Sequence, residues 1–277
     1  MRRIAPLPVI AGVCVSARLF GANLTPETIQ AWDDYVKCAQ SDMQQRLTPT
    51  ARFLWIDQNP ELLRKARAGE IVVAPVAHPE PHRIQNGLIH DWIGVAFLPD
   101  AGASAVMNLL RDYPKYKDFY KPYVIDSKTI ALGTSEDRFS IIMRNQAVVL
   151  KTSIDGDYKS RTFQAGPHRW YTYSESTRLQ EIEDFGTPQQ HLVPEGKGGL
   201  LWRLFSISRF EERDGGVYIE VEAIALSRDI PFSLRWMIDP VVRRVSRSSL
   251  LTSLKQTGDA VREQSVVAHR SSQVSAR

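Results

Sequence analysis

The chain has 277 residues, 43% hydrophobic and 24% charged, with a net charge of +4. This composition excludes a wholly disordered, collagen-like or disulfide-stapled chain, and it allows one large domain or two small ones. Residues 1–22 hold Arg2, Arg3 and Arg18 and no acid, so the remainder is close to neutral. No basic stripe interleaved with aromatics occurs, which argues against a nucleic-acid partner. The cluster Arg243, Arg244 and Arg247 reads as the solvated face of a helix. Two cysteines, Cys14 and Cys38, cannot build a disulfide framework or a paired-cysteine metal site.

In chain order, a short positive start precedes an apolar run from Ile4 to Val15, and Val15-Ser16-Ala17 and Phe20-Gly21-Ala22 offer small residues for cleavage. Residues 1–22 therefore read as a signal peptide whose apolar run is too short to span a membrane, and the protein is expected to be exported to the periplasm or secreted.

Residues 23–86 read as an N-terminal helical extension. Its first helix, 25–47, has Thr25 as cap, Pro26 in the first turn and Ile29, Trp32, Val36, Met43 and Leu47 at helical spacing. Asn59-Pro60-Glu61 opens a second helix that Gly69 stops, and 71–73 is a short strand. The segment His78-Pro79-Glu80-Pro81-His82 is a Pro-rich connector, and the domain boundary is placed there. The extension is too small to stand alone and is expected to pack against the larger C-terminal part of the chain.

From Gly87 the pattern changes to long strands. They are expected at 88–98, 122–132, 138–146, 147–158, 169–183, 199–212 and 216–227, with a helix at 102–112. A final helix at about 231–262 has Leu234, Ile238, Val242, Leu250, Leu251, Leu254 and Val261 on one side, with Pro240 kinking or breaking it. The Ser-rich residues 263–277 read as a disordered tail. Consecutive strands with short connections form an antiparallel meander that must bury one face, and the last helix is the available cover. The fold class is therefore α+β, a curved antiparallel sheet around a long C-terminal helix.

Asp214-Gly215-Gly216 marks a tight hairpin, and a turn centred on Asp214-Gly215 sets Arg209 opposite Glu220. One face then carries Arg203, Arg209, Glu211, Glu220 and Glu222 and reads as the solvent face. Phe205, Ile207 and Ile224 share it, so the N-terminal helices are expected to cover part of it. The other face carries Trp202, Leu204, Ser206, Ser208 and Phe210 with Val217, Ile219, Val221, Ala223 and Ala225. So many small residues do not fill the space under a helix at native density, so a cavity is expected there. On the strand 169–183, the phase that turns Thr172, Ser174 and Ser176 inward places Arg178 in or beside the cavity, where it could pair with an acidic ligand group.

Gly87-Leu-Ile-His-Asp-Trp, the run Arg111-Asp-Tyr-Pro-Lys-Tyr-Lys-Asp-Phe-Tyr120, Gly216-Val-Tyr-Ile-Glu-Val-Glu and Leu226-Ser-Arg-Asp-Ile-Pro231 together resemble the START-like (SRPBCC) superfamily of polyketide cyclases and lipid-transfer domains. The resemblance spans roughly residues 87–262. It implies a helix-grip fold with seven strands around the C-terminal helix and a tunnel for a hydrophobic or amphipathic ligand. It implies no catalytic residue, and residues 1–86 lie outside it.

The expected function is noncatalytic binding or transfer of a lipid-like molecule, with no cofactor or metal; transient contact with a membrane is compatible with it. Trp202, Leu204, Phe210, Val221, Ala223 and Trp236 are expected to line the cavity, and Ser206, Ser208 and Arg178 to orient a polar head. Arg228 and Asp229 are placed at the tunnel mouth. A cyclase- or hydrolase-type enzyme using the same cavity is the alternative. It would need an acid/base such as His90 or Glu175 pointing inward. A packed interaction module is the third reading. Asp155-Gly156-Asp157 lacks the ligand spacing of a calcium loop, and Glu195-Gly196-Lys197-Gly198-Gly199 lacks the full phosphate-loop motif and reads as a loop at the tunnel mouth.

Overall fold

The structure, a computed structural model, describes residues 23–76, 78–147, 150–195, 199–229 and 235–275. The expected signal peptide lies outside these residues. Five α-helices and ten strands are described: α1 Pro26–Gln45, α2 Pro60–Arg67, β1 Val72–Pro75, β2 His82–Ile84, β3 Gly87–Pro99, α3 Ala103–Arg111, α4 Tyr116–Phe119, β4 Val124–Ala131, β5 Asp137–Ala147, β6 Leu150–Gly166, β7 Arg169–Glu183, β8 His191–Leu192, β9 Leu201–Arg213, β10 Gly216–Arg228 and α5 Arg235–Ser275.

The helix starts are encoded locally. Thr25 Oγ1 accepts the Thr28 N–H, and Asn59 Oδ1 accepts those of Glu61 and Leu62. Pro26 and Pro60 come directly after those caps, where a missing N–H costs nothing.

The strands form one antiparallel sheet in the order β1-β3-β10-β9-β7-β6-β5-β4, with β2 on β3 and β8 on β7. Seven long strands match the helix-grip arrangement, and three short ones raise the count above the expected seven. Asp214 and Gly215 both adopt positive φ, and the turn sets Arg209 opposite Glu220 as the sequence predicts.

The expected boundary near residue 80 does not separate two units. β1 pairs with β3 on one side of the connector, and β2 pairs with β3 on the other. Trp32, Met43, Phe53, Leu54, Ile56 and Ala66 join Ile89, Val95, Phe205, Ile207, Tyr218 and Ile224 in one core on the outer face of the sheet.

This covering corrects the expected solvent face. Arg209 is 1% exposed and Glu220 0%. Arg209 donates to Glu220 Oε1 at 3.1 Å and Glu222 Oε2 at 2.7 Å, and the backbone N–H of Trp55 donates to Glu220 Oε2 at 2.7 Å. Charges can be buried here because the guanidinium and the N-terminal backbone together satisfy both carboxylates.

On the inner face, α5 seats most tightly on β3. A Cβ on Gly94 would lie 2.7 Å from Leu254 Cδ1, and a Cβ on Gly258 would lie 2.9 Å from Leu98 Cδ2. Glycine at both places lets helix and sheet touch. Leu250, Leu254, Ala260 and Val261 complete this second core with Trp92, Ala96 and Leu98.

Two helix expectations change. α5 runs through Pro240 without a break and continues to Ser275, so residues 263–275 are helical where a disordered tail is expected. A serine run has only a modest helix penalty per residue, and the helix already nucleated upstream propagates through it.

Candidate functional site

Where the N-terminal half of α5 passes over β10, β9 and β7, the sheet presents small side chains. Ala223, Ala225, Ser206, Ser208, Thr172 and Ser174 stop short of the helix. The gap is a cavity of about 610 Å³. Its roof is Val241, Val242, Val245, Ser246 and Ser249 of α5, and its far wall is aromatic, with Tyr113, Tyr116, Tyr120, Phe139 and Tyr158. The register aligns the floor. Ala223 pairs with Ser206, Val221 with Ser208, and Ser208 with Thr172, so all share one face.

Of the residues expected at the cavity, Leu204, Ser206, Ser208, Phe210, Val221 and Ala223 line it. Trp202 does not. The β9–β10 register slips so that Leu226 faces Arg203 but Ser227 faces Leu201, which makes Trp202 an extra residue. One inserted residue reverses the faces beyond it. Trp202 accordingly packs in the outer core, 2% exposed, and Leu201 takes the inward position.

Arg178 is displaced by the same device. Asp157 faces Arg178 while Tyr158 faces Ser176, so Thr177 is the extra residue in β7. Arg178 donates to Asp157 Oδ2 at 2.8 Å and Asp155 Oδ1 at 3.0 Å and is absent from the cavity wall. The pair Asp155 and Asp157 thus serves as an arginine clamp within β6. Asp229 bonds Arg83 of β2 at 3.2 Å, and the Arg228 N–H bonds Leu200 O at 2.9 Å, so both residues tie the end of β10 to neighbouring segments. The side chain of Trp236 lies outside the described residues, as do residues 196–198 of the expected mouth loop.

Tyr158 is an aromatic wall residue with an enclosed polar end. Its hydroxyl is buried, has no hydrogen-bond partner among the described residues, and belongs to a side chain on the cavity wall. Burial, with Asp155 and Asp157 nearby, pushes its pKa well up, so the phenol stays protonated and can donate. Gly156 makes this placement possible, since a Cβ there would lie 2.8 Å from the Tyr158 hydroxyl and from Leu179 Cδ2. Glu181 also lines the cavity, and burial raises its pKa while the Leu200 N–H and Arg228 act to lower it.

His90 points inward at the other end of the floor. Its Nε2 lies 2.9 Å from Ser227 Oγ and its Nδ1 3.1 Å from Glu80 Oε1. Glu175 lies outside the cavity wall and pairs with Lys159 at 2.7 Å. Glu80 has no signal in its own neighbourhood. It sits in a proline-flanked connector, and only the fold brings it behind His90. Among the described residues no cluster suits a metal ion, and no helix is long and apolar enough to cross a membrane.

No family profile matches the sequence, and no curated protein does. Several solved structures are similar in fold. A STAR-related lipid transfer protein fragment from Xanthomonas axonopodis is 16% identical, with 69% of this chain and 98% of that chain covered and a TM-score of 0.45. Human STARD10 is 13% identical, with coverage of 81% and 87% and a TM-score of 0.45. The Zhui aromatase/cyclase from Streptomyces sp. R1128 is 10% identical, with coverage of 64% and 95% and a TM-score of 0.40. Likeness at this level concerns the fold alone, so function has to be argued from the cavity.

Proposed function

We propose that the protein binds a hydrophobic or amphipathic small molecule, lipid-like in character, between the sheet and α5. The observation that carries this reading is the cavity of about 610 Å³, apolar and aromatic at its walls with a few hydroxyls on its floor. That volume lies within the range of small-molecule sites, and so does the ratio of many apolar groups to few polar ones. The Ser206, Ser208 and Thr172 hydroxyls on the floor offer donors to a carbonyl, carboxylate or ether oxygen of the ligand. A packed interaction module is disfavoured, because a void this size forfeits dispersion contacts that a packed interior would keep.

Native mass spectrometry of the purified chain, followed by organic extraction, tests the reading. A co-purifying apolar molecule, or saturable uptake of 1-anilinonaphthalene-8-sulfonate, is expected. Neither being found would sink it. We further propose that residues 1–22 direct export, so that the ligand is handled outside the cytoplasm.

A further inference from the structure

Glu80, His90 and Ser227 form a hydrogen-bonded chain that ends in the cavity. All three are buried, at 6%, 4% and 6% exposure. The β3–β10 register sets His90 opposite Ala225 and Leu88 opposite Ser227, so His90 and Ser227 stand diagonally on the cavity face. Both line the cavity. Glu80 comes from the connector and lies behind the imidazole.

The bonding around Glu80 sets the histidine tautomer. Trp92 Nε1 donates to Glu80 Oε1 at 3.1 Å, and the Asp91 N–H donates to Oε2 at 3.3 Å. The carboxylate accepts, so His90 presents Nδ1–H to it, and Nε2 is left as the acceptor on the ring. The group 2.9 Å from Nε2 is the Ser227 hydroxyl. Its other acceptor, Arg228 O, is farther, at 3.4 Å. A hydroxyl, a base within hydrogen-bond reach of it and a carboxylate orienting that base form the arrangement that activates a nucleophilic serine. The same bonds would satisfy any buried histidine. What separates this one is that its serine faces a cavity able to hold a substrate.

We propose that Ser227 is an activated nucleophile and that the protein cleaves esters whose apolar acyl or aryl portion occupies the cavity. This inference rests on the cavity taking an apolar ligand. Ser227 Oγ attacks the ester carbonyl carbon while His90 Nε2 takes the hydroxyl proton. The bond from that carbon to the alcohol oxygen breaks, and His90 returns the proton to the departing alkoxide, leaving an acyl-serine. Water then attacks the acyl carbon, His90 accepts one of its protons, the acyl–Oγ bond breaks, and the proton passes to Ser227. The products are an alcohol and a carboxylic acid. Ser227 and His90 are the catalytic residues in this scheme, and Glu80 is a positioning residue that acts through His90.

The test uses the purified full chain with p-nitrophenyl butyrate and laurate, and separately with an alkyl fluorophosphonate. One phosphonyl adduct, mapped by peptide mass spectrometry to Ser227, and steady nitrophenol release are expected. Ser227→Ala should abolish the adduct and lower turnover by about 10³-fold or more, as loss of a nucleophile in such a unit does. Glu80→Gln should lower kcat by about tenfold or more with KM within about twofold, a split that a loosened fold would not give. Circular dichroism of each variant checks folding. No adduct on the wild-type chain, or nitrophenol release unchanged by Ser227→Ala, would overturn the inference. If the wild-type chain still takes up 1-anilinonaphthalene-8-sulfonate in that event, binding stands and only the chemistry falls. If it does not, both fall.

Discussion

Leu254 of α5 lies where the first carbon of any side chain on Gly94 of β3 would have to go, at 2.7 Å from its Cδ1. Gly94→Ala should therefore push the helix from the sheet and cost about 1–3 kcal/mol, as overpacking does. The double variant with Leu254→Ala should be less unstable than the two single changes summed. Thermal melts of the four proteins check this, and strict additivity would show that the two residues are not in contact.

The buried charges beneath α1 should respond unequally to removal. Arg209→Ala leaves Glu222 without its guanidinium and Glu220 with only that of Arg46, at 3.4 Å, and should cost about 3–5 kcal/mol. Replacing Arg46, Arg209, Glu220 and Glu222 together by Met, Met, Leu and Leu should cost much less, since none of these charges is then stranded. Urea unfolding measures both. An Arg209→Ala protein as stable as the parent would refute the arrangement.

Asp91 gives a pH prediction. Burial is the first cause raising its pKa to about 7, and Glu222 adds to it, while the Tyr35 hydroxyl, donating at 2.8 Å, opposes. Unfolded, the carboxyl loses its proton near pH 4. Between about pH 4 and 7 the folded state therefore holds more protons than the unfolded one, and stability falls as pH rises through that window, by an order of 2–4 kcal/mol. Asp91→Asn should flatten that part of the melting temperature–pH curve. An identical slope in the two proteins would contradict the raised pKa.

Filling the cavity should separate binding from folding. Ser208→Trp puts an indole into open space and should lower uptake of 1-anilinonaphthalene-8-sulfonate at least about tenfold with the melting temperature nearly kept. Trp202→Ala should do the reverse. It removes a large side chain from the outer core, costing about 3–5 kcal/mol, and leaves uptake within about threefold at a temperature where it is folded. Equal effects of the two changes on uptake would mean that the cavity is not the binding site.

Export has its own check. N-terminal sequencing of the mature protein from cells should find a start near residues 18–23. A mature chain that keeps Met1 would remove that proposal.

Much of the sheet is legible in the sequence because its signals are local. The Asp214-Gly215 turn carries its own register, so the Arg209–Glu220 pairing comes from two residues. From that phase Leu204, Ser206, Ser208, Phe210, Val221 and Ala223 fall on the cavity wall by alternation alone. Alternation misleads beyond a bulge, which nothing in the residues at Trp202 or Thr177 announces, and so it puts Trp202 and Arg178 on the wrong face. Charge misleads at Arg209 and Glu220, because charged strand residues read as solvent-facing until a separate segment is seen to cover them. Glu80 is out of reach for another reason, since its meaning lies in the loop's return to β3 rather than in its neighbours.

Along β9 the residues alternate between two tasks. Ile207 and Arg209 belong to the outer layer closed by α1, and Ser206 and Ser208 belong to the void. Cohesion is thus invested on one side of the strand, which frees the other side from having to hold the protein together. An apo form should be able to persist with its interior empty, and substitutions on the floor can change what is admitted without endangering the scaffold. A receptacle that must fill, empty and fill again needs that separation of duties, and the N-terminal segment that the START-like resemblance does not cover provides the outer half of it.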